Sequence, residues 1–212
     1  MSIATADIFA ESGTLLGRGI YDVIEVSRLV ERDPETVAVW TSGRTPLHRV
    51  ETRPLYAFLD LISIWVISEL VRRKVPKGEI RRGAKYLADQ LDTEYPFAHR
   101  GIATVGSSVF GEFGEWIDVG KSGQMAFQSV IENYVRPVEY GRDGLAAIWR
   151  PAEGVWINPQ VQAGSPCVEG TRIPTALLAA LASEDEDPGD LADDYDLPIA
   201  QVKAALKFER AA

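Results

Sequence analysis

Cysteine is almost missing from this chain. Cys167 stands alone among 212 residues, which excludes an internal disulfide framework and fits a reducing, cytoplasmic setting. Histidine is nearly as scarce, and the two present, His48 and His99, lie in different blocks. No HxxxH, CxxC or GxSxG pattern occurs, nor a phosphate-cradling glycine loop. The sequence therefore offers no catalytic set, no metal ligands and no cofactor site, and an enzyme is not expected. Long apolar runs are missing as well. The longest, Leu55 to Val71, is interrupted by Asp60, Ser63, Ser68 and Glu69, so no membrane span is expected. The first residues, MSIATADIFAESG, carry acids and no apolar core run, unlike a signal peptide.

What is present is ordinary globular material with uneven charge. Hydrophobic residues make up 46% and charged residues 25%, enough for a sizeable core. The net charge of −9 argues against general adhesion to nucleic acid or to anionic membrane. Residues 1–95 are close to neutral, with 13 Lys/Arg against 14 Asp/Glu, whereas residues 154–212 carry 4 basic and 10 acidic side chains. Arg72 to Lys85 concentrates seven basic residues against Glu79 alone. The acidic run Glu184 to Asp187, with Asp190, Asp193, Asp194 and Asp196, lacks the spacing of a calcium loop and reads as a solvated segment turned toward protein contacts.

Periodicity divides the chain into an arm (1–18), a helical block (19–95), a β-rich connecting segment (96–153) and a C-terminal three-helix block (154–212). In the first block, Val23, Val26, Leu29 and Val30 fall at helical spacing. Asp33 then Pro34 is an N-cap acceptor followed by proline at the first helical position, which predicts a second helix ending at Thr41-Ser42-Gly43. Residues 44–54 suit a loop or a two-stranded wing. Leu55, Phe58, Leu59, Ile62, Trp65, Val66 and Leu70 mark one face of a long helix. After the Val75-Pro76-Lys77-Gly78 break, a further helix buries Ile80, Ala84, Leu87 and Leu91 and presents Lys77, Arg81 and Lys85 in a row. A hairpin near Gly111–Gly114, a helix over Gln124–Val135 and strands over Val138–Trp149 and Val155–Ile157 are expected next. Three helices, about 174–183, 188–195 and 198–210, close the chain, with Pro188 and Pro198 in first turns. The fold class is thus α+β.

The stretch INPQVQAGSPCVEGTRIP, from Ile157 to Pro174, joins the last strand to these helices. Its glycines and prolines predict a rigid, shaped connector. Together with TALLAALA and DLADDYDLPIAQVKAALKFE it resembles the bacterial domain-of-unknown-function 433 family. The resemblance rests on Pro159, Gly164, Pro166, Gly170, Thr171, Arg172, Ile173, Pro174, Tyr195, Val202, Ala205 and Leu206. The chain departs from that pattern at Ser183–Asp187, where the family has a glycine and a shorter link. The N-terminal block, through Tyr21, Val26, Leu29, Thr36-Val37, Trp40 and the Phe58–Leu70 helix, is similar to the winged helix-turn-helix of MerR-like regulators.

The resemblance implies a helix-turn-helix-like three-helix C-terminal block and a VapB-type antitoxin. It also implies a PIN-domain ribonuclease toxin as partner and autoregulation by a homodimer on operator DNA. Such antitoxins cover the toxin's acidic metal site with a basic side chain, for which Arg172 and Arg210 are the candidates. The candidate recognition helix, Pro34 to Thr41, would expose Glu35, Thr36 and Ala38 and carries no cation. Phosphate contacts would come from Arg28, Arg32, Arg44, Arg49, Arg53, Lys77 and Arg81, with Thr36 reaching toward bases. A bland reading stands beside each. The Lys77 row suits a solvated helix face, Arg172 suits an ion pair with Glu169 or an acid of the last helices, and Cys167 suits a small buried apolar role. Trp116, Trp149 and Trp156, with Phe110 and Phe113, suit a core or a dimer surface in the β-rich segment. Two alternatives remain open: a protein-interaction module without DNA binding, and a MerR-like regulator sensing a small molecule.

Overall fold

A computed structural model describes residues 19–42, 46–50, 54–103, 137–184 and 186–211. Among them are seven α-helices and two small antiparallel sheets, so the α+β expectation holds. The expected hairpin near Gly111–Gly114, the helix over Gln124–Val135 and the aromatics Phe110, Phe113 and Trp116 lie outside the described residues. The chain forms two compact units, ending and beginning at Ala147 and Ile148.

In the first unit, β1 (Gly19–Tyr21) pairs antiparallel with β2 (Tyr56–Ala57), Gly19 facing Ala57. Helix α1 (Val23–Leu29) opens with a capping box. The Glu25 N–H donates to Asp22 Oδ1 and the Asp22 N–H to Glu25 Oε2, each at 2.8 Å. Helix α2 (Pro34–Ser42) starts as Asp33-Pro34 predicts, with the Glu35 N–H donating to Asp33 Oδ1 at 2.8 Å. It buries Val37 and Trp40. Of the segment expected as loop or wing, residues 46–50 carry no strand; Leu47 and His48 donate their N–H groups to the Trp40 carbonyl.

Helix α3 (Phe58–Arg72) corrects the expected boundary. Leu55 precedes it and is 39% exposed, because Tyr56 and Ala57 are drawn into pairing with β1. The helix is buried on nearly every side, Asp60, Ser63, Ser68 and Glu69 included, rather than along one stripe. Helix α4 (Lys77–Leu91) is amphipathic and buries Ile80, Gly83 and Leu87, with Ala84 and Leu91 only partly covered. Strand β3 (Val138–Tyr140) leads into the tight turn Gly141–Leu145, where Gly144 has φ +82°.

The second unit is a small sheet under three helices. Strands β4 (Ala146–Ala152, which begins in the last two residues of the first unit), β5 (Val155–Ile157) and β6 (Cys167–Val168) follow one another as antiparallel neighbours, Val155 facing Val168 and Trp156 facing Cys167. Helices α5 (Thr175–Ser183), α6 (Pro188–Asp194) and α7 (Ile199–Ala211) match the expected three to within one residue. Proline at the first turn of α6, capped by Asp187 accepting from the Gly189 N–H at 2.7 Å, sets its start. Val168, Leu178, Leu191, Val202, Ala205 and Leu206 form the core. Each fully buried aliphatic side chain there contributes about 1.5 to 3 kcal/mol.

Candidate functional site

The connector from Ile157 to Pro174 is fastened along its length. Gly170, at φ +77°, lets the chain reverse so that the Val168 N–H donates to the Ile173 carbonyl at 2.9 Å. The Thr171 hydroxyl donates to the Val168 carbonyl at 2.9 Å and accepts from the Ile173 N–H at 3.0 Å. Trp156 Nε1 donates to the Thr171 carbonyl at 3.1 Å. Thr175, fully buried at the start of α5, donates its N–H to the Pro166 carbonyl and its hydroxyl to Glu209 Oε1 on α7. Thr175 thereby ties the end of the connector to α5 and, through Glu209, to α7.

What this positioning exposes is one face of α7. Val202, Ala205 and Leu206 point into the core. Lys203, Lys207 and Arg210 recur at i, i+4 and i+7 on the exposed side. With Pro188, Leu206 and Ala211 they line a groove of about 360 Å³. No acid lines it, although α6 carries exposed Asp190, Asp193 and Asp194. Among the described residues none of the three cations makes an ion pair. The groove thus offers an apolar floor rimmed by free positive charge, a surface suited to carboxylates.

Arg172 is exposed on the connector. Neither ion pair read for it, with Glu169 or with an acid of the last helices, forms among the described residues; Glu169 Oε1 instead accepts from Arg150 Nε at 2.5 Å. The charge of Arg172 is felt by the buried Cys167. Burial pushes that thiol up to about 11 against the opposing pull of Arg172. Cys167 is thus the small buried residue expected of it.

The first-unit candidates separate by environment. Arg32 is committed internally, donating to Ser68 Oγ at 2.7 Å and to the Ser68 carbonyl at 2.8 Å. Arg28 is half-buried in the last turn of α1, Thr36 is half-buried on α2, and Arg49 is exposed. On α4, Lys77 is exposed and Arg81 half-buried; Arg44 and Arg53 lie outside the described residues. The solvent face of α2 differs from the expectation. Glu35, Val39 and Ser42 are exposed, Val39 by 57%, while Thr36 and Ala38 are partly covered.

One constellation was not anticipated. His48 Nε2 and Asp60 Oδ1 meet at 2.6 Å, both buried, and Asp60 Oδ2 accepts the Ala57 N–H at 2.7 Å. The signal available was a carboxylate inside the longest apolar run, where burial requires a partner. The pair ties residues 46–50 to α3. Among the described residues, no group of three or more His, Cys, Asp or Glu is arranged to hold a metal ion. No described helix is long and apolar enough to cross a membrane.

The α5–α7 arrangement has counterparts. Residues 155–208 match the family described as "Protein of unknown function (DUF433)". Over most of its length the chain is similar to two proteins of Mycobacterium tuberculosis strain H37Rv. One, named "Putative antitoxin VapB45", is 24% identical over 88% of this chain and 92% of its own. The other, "Uncharacterized protein Rv2308", is 25% identical over 93% of this chain and 92% of its own. The crystal structure of Rv2018 from M. tuberculosis superposes with a TM-score of 0.75 at 22% identity, covering 89% of this chain and 97% of that one. That likeness extends the fold to both units of the chain.

Proposed function

We propose that this protein is the antitoxin of a type II toxin–antitoxin pair. It neutralises a PIN-domain ribonuclease through its second unit and represses its own promoter as a homodimer, in the cytoplasm. The carrying observation is the α7 groove: three cations without a described ion pair, over an apolar floor, in a region where acids outnumber bases. A metal-dependent nuclease presents clustered carboxylates, and a guanidinium brought among them is held by charge-assisted bidentate hydrogen bonds. Arg210 has that opportunity from the groove and Arg172 from the connector. The similarity to a protein named as an antitoxin supports the same reading.

The test is direct. The purified chain is mixed with the PIN-domain product of the adjacent gene, and RNA cleavage is followed. Stoichiometric inhibition, lost in Arg210→Ala or in Arg172→Ala, supports the proposal and selects the residue. Undiminished cleavage in the presence of folded chain would sink it. The second reading, a protein-interaction module that does not touch DNA, is favoured by the cation-free face of α2. A mobility-shift assay on the upstream DNA of its own gene separates the two.

A further inference from the structure

We infer that the DNA-contacting face of the first unit is the α3–α4 corner with the outer row of α4, and that α2 does not carry it. The inference rests on the promoter-binding part of the proposal above. On α2 and its cap the exposed charges among the described residues are the acids Asp33 and Glu35; the exposed cation nearest the helix is Arg49, beyond its C-terminal end, and the guanidinium of Arg32 is already taken by Ser68. A phosphate backbone approaching there meets like charge.

The α3–α4 corner is the opposite. Lys74, Lys77 and Lys85 are exposed, and none makes an ion pair with a described residue. Arg72 and Arg82 stand among them, satisfied by Glu31 and Glu69 and by Glu79 respectively. Burial of Ile80 and Leu87 fixes the roll of α4, so Lys77 and Lys85 point outward from the same side, ~12 Å apart along the axis. No large apolar residue is exposed on α4, which removes the wedge a helix needs to enter a bilayer interface.

Lys74 adds an independent observation. It sits at φ +65°, one residue past the helix cap, where the Val75 N–H closes back on the Leu70 carbonyl at 3.0 Å. Glycine is the residue this position favours, because a side chain at positive φ is strained. Of the other helix ends with positive φ, Asp92 and Asp196 are a type that tolerates it, and Glu31 pairs with Arg72. Lys74 has neither excuse, and a phosphate contact accounts for a cation kept at a glycine position.

The experiment measures binding of the full chain to a labelled duplex from its upstream region between 50 and 200 mM salt. For the wild type the logarithm of affinity falls linearly with that of salt. Lys77→Ala/Lys85→Ala should bind more weakly and lower that slope by about 2. Lys74→Gly should bind more weakly yet melt at a higher temperature, a combination a structural role would not produce. Variants that bind with wild-type affinity and slope overturn the inference and leave promoter binding standing. A folded wild type that binds no duplex at low salt overturns both. Capture by phosphatidylserine vesicles without duplex binding also overturns it.

Discussion

Helices α3 and α7 handle charge in opposite ways. In α3 the ionisable side chains are turned inward or tied down: Asp60 holds His48 and the Ala57 N–H, and Glu69 is buried and paired with Arg72. In α7 the cations Lys203, Lys207 and Arg210 face solvent with no described counter-ion, and the one acid of that helix, Glu209, accepts from Thr175. The contrast teaches where function is to be sought. Charges inside α3 hold the first unit together, and mutating them reports stability. Charges on α7 have no counter-ion among the described residues, and on the proposed function mutating them reports binding.

The sharpest way to break this contrast is Asp60→Ala. It strands His48 Nε2 and the Ala57 N–H in a buried site and should cost about 3 kcal/mol, read as a lower midpoint in urea. Asp60→Asn, which keeps an acceptor for Ala57, should cost less. Leu178→Ala opens a cavity in the fully buried core of the second unit and should cost roughly 2 to 5 kcal/mol by the same measurement. A loss under 1 kcal/mol would mean that α5 is not held as described.

Gly170→Ala comes next. The added Cβ meets nothing within 4 Å, so the cost is purely conformational, about 1 to 2 kcal/mol for φ +77°. Cys167 supplies a pH test. Its folded pKa is raised, so the stability it contributes is complete below the unfolded thiol's value near 9 and is lost as pH rises toward about 11. Denaturation midpoints at pH 8 and pH 11 should differ more in the wild type than in Cys167→Ala. Last, Lys203→Ala/Lys207→Ala should change stability by no more than about 0.5 kcal/mol. The same double variant should weaken inhibition of the nuclease, which calorimetry and RNA cleavage together resolve.

The legible parts of the molecule were those written in neighbouring residues. Asp33-Pro34, Pro188 and the 3.6-residue recurrence of Val202, Ala205 and Leu206 announce their helices through caps, fixed φ and one-sided burial. Gly170 announces its turn in the same way. Other features depended on residues far along the chain. The Leu55 boundary moved because β1, more than 30 residues earlier, pairs with Tyr56 and Ala57. Glu169, read as one partner for Arg172, pairs instead with Arg150 of β4. Val39 is exposed where Ala38 was expected, since the roll of α2 is set by Trp40 packing inward.

By itself, then, the sequence determined the α+β class, the course of the three last helices, the clamp at Gly170–Pro174 and the concentration of positive charge between Arg72 and Lys85. These follow from local sterics and from periodicity, which need no knowledge of distant neighbours. Only the tertiary structure decided which charges are spent and which are free. A polar pair, charged or not, is made by whichever partner packing brings within about 4 Å. That distance joined His48 to Asp60 and Arg150 to Glu169, and left Lys203, Lys207 and Arg210 without a partner among the described residues.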